Sequence, residues 1–128
     1  MKILKTVAVK QILTATSKQT MLDDFEEQMF QLQKECEQLR FEMRRQERER
    51  KFDKNALRQR FEQEIERRQE KIRLLEYQIE QLNFLPLGSE LDDGEVDMIL
   101  DVDVGDDWVQ LTGKSAILIK DGKVYEIR

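Results

Sequence analysis

The most obvious candidates for chemistry are the carboxylates of an acidic segment near the C-terminus. Residues 87–107 carry nine aspartates and glutamates and no lysine or arginine. Asp101 and Asp103 alternate as the first ligands of an EF-hand calcium loop do, but that loop needs glycine in sixth place and glutamate in twelfth place. Here Gly105 is fifth and Thr112 is twelfth. The pattern therefore favours a solvated strand and turn over a calcium site.

The residue types present exclude most familiar catalytic sites. The chain has no histidine and one cysteine, Cys36, so it cannot build a Ser-His-Asp triad, a Cys-His dyad, a Cys/His zinc site or an intramolecular disulfide. Nothing in the acidic segment selects a pair of carboxylates for acid-base catalysis. We therefore predict a non-enzymatic protein without catalytic residues, cofactor, metal ion or small-molecule substrate.

A second charged cluster is basic and lies mid-chain. Residues 40–60 hold nine basic side chains and four acidic ones, so this segment is positive although the whole chain carries −5. Basic side chains can contact RNA phosphates, whereas Glu42, Glu47 and Glu49 can pair with them at helical spacing. The pairing favours a salt-bridged helical surface, and RNA or ribosome binding is the alternative. Candidate contacts for that alternative are Arg44, Arg45, Arg48, Arg50, Lys51 and Lys54.

Two heptad repeats predict long helices around this cluster. Apolar residues are spaced alternately three and four apart from Leu22 to Met43 and again from Phe61 to Leu82. Such spacing is typical of a coiled-coil seam and is unlike the alternation of a strand. The one polar exception is Arg68, which we expect to reach Glu64 or acids on the first helix. Thr14, Thr16 and Ser17 offer capping oxygens before the first repeat.

The two repeats together predict an antiparallel coiled-coil hairpin. In such a hairpin, the residue numbers of any two facing positions add up to the same total. If the chain reverses at Phe52, each of the seven positions of the first repeat faces one of the seven positions of the second. Asp53 and Asn55 favour a turn and a new N-cap there. The predicted ranges are 17–50 and 54–84 for the helices, 51–55 for the turn and 15–85 for the hairpin. Arms of this length are expected to project, with the basic cluster at the tip.

Some side chains of the hairpin call for separate interpretation. Phe30, Leu74 and Tyr77 lie outside the seam, and because a two-helix hairpin buries one stripe per helix, they predict a patch covered by the β region or by another subunit. Phe41 is interpreted as an isolated exposed aromatic. Cys36 occupies a seam position, which favours a packing role over a redox role.

The segments 1–14 and 86–128 predict a small β base, which makes the chain an α+β protein. Asp121-Gly122 is typical of a type I′ turn between two strands. The predicted strands are 1–13, Val96–Val104, 115–120 and 123–128. We expect an antiparallel sheet or partial barrel of N-terminal and C-terminal strands, with Trp108 closing its core.

Four segments resemble the YlqD family of small bacterial proteins of unknown function. They are MKILKTVAVKQ at 1–11, LQKECEQLRF at 32–41, IEQLNFLPLGSEL at 79–91 and IKDGKVYEIR at 119–128. The resemblance covers almost the whole chain and implies a cytoplasmic bacterial protein. The genes of that family often lie near those for ribosomal proteins and ribosomal-RNA maturation, which favours the RNA alternative slightly. The family supplies no activity, cofactor or site residues to transfer.

These observations lead to one main functional hypothesis and two alternatives. The main hypothesis is a cytoplasmic interaction or scaffold protein that binds a protein partner or a second copy of itself. RNA or ribosome binding through the basic tip is the first alternative. The predicted plan also resembles that of the Skp chaperone, which makes holdase activity a weaker alternative by analogy of architecture alone. No apolar run is long enough to cross a membrane, and the lysine-rich N-terminus is unlike a signal peptide.

Overall fold

The computed structural model describes residues 1–49 and 53–128. The elements are β1 (Lys2–Ile12), α1 (Ala15–Glu49), α2 (Lys54–Phe84), β2 (Glu90–Asp101), α3 (Trp108–Thr112), β3 (Ala116–Lys120) and β4 (Lys123–Ile127). The chain forms a helical unit, Gln19–Phe84, and a sheet unit, which comprises Met1–Lys18 and Leu85–Arg128. The predicted α+β class with a long helical hairpin is confirmed. Projection of the hairpin stays a prediction.

Both long helices begin at capping residues. The Ser17 amide donates to Thr14 Oγ1 at 3.0 Å, and the Thr14 amide donates to Ser17 Oγ at 2.9 Å. This reciprocal pairing satisfies amides that have no partner within the helix. The Asn55 amide donates to Asp53 Oδ1 at 3.0 Å, which caps α2. The predicted reversal at Phe52 lies outside the described residues.

The sheet unit contains a four-stranded sheet in the order β2-β1-β3-β4. β1 is antiparallel to β2 but parallel to β3, and β3 is antiparallel to β4. The expectation of a wholly antiparallel sheet is therefore wrong. The chain leaving β2 passes β1 before it forms β3, and the Ala8 amide of β1 donates to the Ser115 carbonyl at 3.1 Å. β3 therefore has the same direction as β1 and the opposite direction to β2.

The sheet is open, because β2 and β4 are the edge strands and do not pair with each other. One side-chain contact nevertheless links the start of β2 to the residue that follows β4. Arg128 donates to both carboxylate oxygens of Glu90, at 2.6 and 3.0 Å. Hydrogen bonding from Arg128, with the charge of Lys10 nearby, holds the pKa of Glu90 below its ordinary value.

Strand β2 starts earlier and ends earlier than the predicted range Val96–Val104. It pairs along nearly all of β1, from Ile12 opposite Glu90 to Lys2 opposite Asp101. The segment 90–95 has no apolar alternation to reveal a strand, and its pairing depends on a partner distant in sequence. A register shift occurs beside Gly94, whose φ of +87° suits glycine.

The prediction that Trp108 closes the core of the sheet unit is wrong. Its side chain is 60% exposed and lies in the first turn of α3. The Asp107 carboxylate accepts from the amides of Val109 and Gln110, so a short helix starts at Trp108. The buried apolar residues described in this unit are Val7, Ile12, Leu13 and Leu118.

The hairpin between β3 and β4 is confirmed at the predicted position. Asp121 and Gly122 have φ values of +50° and +79°. Two successive positive φ angles are the requirement of a type I′ turn, which matches the twist of the flanking strands. The Asp-Gly pair therefore identified this turn by local chemistry alone.

Candidate functional site

The two long helices pack along the seam that the heptads predict. Every predicted seam position is buried or half-buried. Arg58 pairs with Glu47 at 3.2 Å, whereas Arg68, farther along α2, pairs with Glu35, earlier in α1, at 3.1 Å. The arginine that lies farther along α2 therefore pairs with the glutamate that lies earlier in α1. This order confirms that the two helices are antiparallel.

Cys36 and Arg68 are both seam positions. Cys36 is buried, and its Sγ lies 4.0 Å from the Ile65 carbonyl oxygen. Arg68 donates to Glu64 and to Glu35, each at 3.1 Å, as the sequence predicts. The hydrogen bond to Glu64, followed by that to Glu35, raises the pKa of the Arg68 guanidinium. Arg68 thus bridges the helices at the one polar seam position.

An apolar groove runs along one flank of the helical hairpin. We name it the flank groove: its volume is about 820 Å³, and Leu32, Leu75, Phe30 and Leu74 supply its apolar lining. Leu75 is buried, whereas Phe30 and Leu74 are 61% and 56% exposed. Tyr77 is also exposed but does not line the groove. The structure therefore brings together two of the three residues that the sequence singled out as a patch.

Three charged side chains also line the flank groove. They are Asp24 and Glu27 from α1 and Lys71 from α2. The sequence interpretation missed these residues, although they lie about one or two helical turns from Phe30 or Leu74. Helical spacing could have identified them, because residues three or four apart share a helix face.

Among the described residues of the basic tip, only some of the cations form internal ion pairs. Arg45 pairs with Glu42, and hydrogen bonds from Gln46 and then Arg45 hold the pKa of Glu42 below its ordinary value. A shallow groove of about 410 Å³ is lined by Arg44, Arg48 and Lys54 together with Glu47. Within the described ranges, these three basic side chains have no carboxylate at ion-pair distance. The other two predicted contacts, Arg50 and Lys51, lie outside the described residues.

The acidic segment gives some of its carboxylates backbone partners. Asp106 Oδ2 accepts from the Asp103 amide at 2.8 Å, and Asp107 caps α3. Asp101 ends β2 opposite Lys2. These positions match the predicted interpretation of a strand followed by a turn.

Comparison with known proteins decides the family. The family model described as YlqD protein matches residues 1–128. The chain belongs to the YlqD family. A relative named "Uncharacterized protein YlqD" from Bacillus subtilis (strain 168) is 45% identical over 128 residues, which cover 100% of this chain and 98% of the relative. The YlqD resemblance predicted from the four segments is confirmed.

A solved structure shows the same fold as this YlqD chain. It is a crystal structure of a protein of unknown function from Synechococcus sp. WH 8102, with 19% identity and a TM-score of 0.72. The match covers 100% of this chain and 94% of that one. Across the described parts of the YlqD chain, no helix has the length and apolar character needed to span a membrane.

Proposed function

We propose that this YlqD-family protein is a non-enzymatic, cytoplasmic interaction protein whose helical hairpin binds a macromolecular partner in the flank groove. The observation that supports the proposal is the exposure of Phe30 and Leu74 on either side of an apolar floor. When a partner removes large apolar side chains in a concave site from water, the free energy of the complex is lowered.

The contrast between Phe30 and Phe41 supports the groove as the contact surface. Phe41 lies on the same helix and is 68% exposed. Phe41 lines a shallow hollow with Lys34, Glu37, Gln38 and Glu42, and none of these four side chains is apolar. An isolated exposed aromatic is ordinary, whereas an aromatic beside Leu32, Leu74 and Leu75 belongs to an apolar patch that a partner could cover.

Photo-crosslinking in living cells tests this proposal. A photoreactive amino acid at Gln31, which lines the groove, is expected to trap a discrete partner. The same amino acid at Gln33 is the matched control, because Gln33 is exposed and lies outside the groove lining. Adding Phe30→Ser is expected to remove the Gln31 product. Equal products at both positions, or none at Gln31, would contradict the proposal.

RNA binding at the basic tip is the second candidate function. Arg44, Arg48 and Lys54 favour it, because they are clustered and have no carboxylate at ion-pair distance in the described parts of the chain. A cation without an internal partner can neutralise a phosphate and release its counterions. The ion pair between Arg58 and Glu47 leaves Glu47 less able to oppose an incoming phosphate.

A titration of labelled single-stranded RNA at several salt concentrations tests the second candidate. Replacing Arg44, Arg48 and Lys54 by glutamine is expected to weaken binding and to reduce the slope of log affinity against log salt by about 2, at ~0.7 per phosphate contact. The variant with Lys2, Lys114 and Lys123 changed to glutamine loses the same charge from exposed positions of the sheet unit. Equal losses in the two variants would reject a specific contact at the tip.

A further inference from the structure

The flank groove carries opposite charges at its two ends. Asp24 and Glu27 lie at one end, toward the start of α1. The ion pair between Arg68 and Glu35 shows which levels of the two helices face each other. In this register, Phe30 lies between the two acids and Lys71. Lys34 lies at the basic end as well, with Nζ 5.4 Å from the centre of the Phe30 ring. In the lining, the acidic end therefore carries two carboxylates and the basic end carries Lys71 alone, with apolar side chains in the middle and Lys34 outside the lining.

These charges are available to a partner. Asp24, Glu27, Lys34 and Lys71 make no ion pair within the described ranges, whereas Arg67, Arg68 and Arg73 on the same hairpin each pair with a glutamate. A uniformly basic partner would be repelled at Lys71, and a uniformly acidic one at Glu27. The pattern therefore favours a partner with an apolar centre and opposite charges on either side.

We infer that the occupant of the flank groove is a second copy of this chain. The inference rests on the proposed function of the groove as a contact surface. A two-fold axis in the interface, perpendicular to the helices and near Phe30, reverses the direction of the second hairpin. The acidic end of each copy then faces the basic end of the other, while both copies bring Phe30 and Leu74 to the centre. The surface is complementary to itself in charge and in apolar character.

The resulting contact is an antiparallel pairing of two helical hairpins. Four helices packed in this way bury a central apolar layer with a charged rim, as helical bundles do. Phe30 is the expected anchor, since an aromatic residue at the centre of an interface commonly contributes most to binding. The charges would set the direction of pairing and exclude the parallel arrangement.

Light scattering of the full chain tests the inference. The wild type is expected to have twice the mass of the 15.4 kDa monomer at micromolar concentrations. Phe30→Ser is expected to raise the dimer dissociation constant by at least ~30-fold, whereas Phe41→Ser leaves it unchanged. A monomeric wild type overturns the inference, as does a dimer that Phe30→Ser and Phe41→Ser weaken equally.

A charge exchange tests the direction of pairing without relying on apolar truncation. One variant carries Asp24→Lys with Glu27→Lys, and the other carries Lys34→Glu with Lys71→Glu. Each variant alone is expected to be monomeric, because both ends of its groove carry charges of the same sign and repel the ends of a second identical copy. Mixing the two is expected to restore a dimer containing one copy of each. Homodimers of either variant, or no heterodimer on mixing, would overturn the antiparallel arrangement.

The two proposals can fail separately. If the wild type is monomeric but Gln31 crosslinks to another protein, the groove is a contact surface and self-pairing is wrong. If Gln31 yields no crosslink to any chain, the proposed function of the groove is itself wrong. A Gln31 crosslink between two copies, lost with Phe30→Ser, supports both.

Discussion

Replacing Leu118 by alanine is expected to lower the stability of the sheet unit by about 2–5 kcal/mol. Leu118 is 1% exposed and belongs to β3, the strand between β1 and β4. Only a few apolar residues of this unit are buried, so a cavity at Leu118 removes a large share of its apolar packing. The loss combines the transfer of the side chain to water with the cavity left behind.

Hydrogen exchange of the backbone amides in β1 and β3 measures this effect. Global circular dichroism would be dominated by the long helices, whereas exchange reports the opening of each segment. Val124→Ala is the matched control, because Val124 lies on the adjacent strand β4 and is 61% exposed. Its expected cost is below about 0.5 kcal/mol. Similar exchange rates in both variants would show that Leu118 is not central to the sheet.

Replacing Arg68 by glutamate is expected to destabilise the helical hairpin by about 2 kcal/mol at neutral pH. Losing one partner of a fully buried ion pair costs roughly 3–5 kcal/mol. The exposed fractions of Arg68, Glu35 and Glu64 are 27%, 35% and 41%, so solvent reduces this cost. The variant also places three carboxylates together at one level of the seam, which adds repulsion.

This deficit has a defined dependence on pH. Repulsion within the folded variant raises the pKa of the clustered carboxyl groups above their unfolded values. Folding then favours proton uptake, so the deficit relative to wild type is largest at neutral pH and shrinks as the pH falls through those values. Urea unfolding followed by far-ultraviolet circular dichroism at pH 7 and pH 4 measures the change. A deficit that stays constant or grows in acid would contradict this account.

Two variants separate the role of Arg68 from a general charge effect. Arg67→Glu makes the same charge change at the next residue, where Arg67 contacts Glu64 from an exposed position. We expect its cost to be below about 1 kcal/mol. Arg68→Leu completes the apolar seam and is expected to be at least as stable as wild type. Equal losses for Arg67→Glu and Arg68→Glu would show that the seam position has no special importance.

The helical hairpin could be predicted from the sequence because its signals are local and periodic. The seam from Leu22 to Met43 and that from Phe61 to Leu82 each repeat on the period of a helix, and their mirror relation specifies which residues face each other. Arg68 could be assigned to its partners for the same reason. Capping by Thr14 and Ser17 likewise depends on residues only three apart.

The sheet could be predicted only in part, because strand partners are chosen by contacts distant in sequence. The Asp121-Gly122 turn is local and was predictable. The range of β2, by contrast, is set by its pairing with β1, and the residues of the whole helical unit separate these two strands in the sequence. The parallel pairing of β1 with β3 also depends on how the chain passes β1 after β2. Trp108 was misplaced because it begins the short helix α3, which the sequence analysis did not predict.

The sequence alone determined the class of the protein, the seam of its hairpin, its charge clusters and its family resemblance. Periodicity and composition are properties of the chain itself, so they need no coordinates. Only the tertiary structure decided that Phe30 and Leu74 share one groove, that Tyr77 does not line it, and that Asp24, Glu27 and Lys71 line it as well. A groove is formed by side chains of two helices, and its shape depends on how those side chains lean as well as on their spacing.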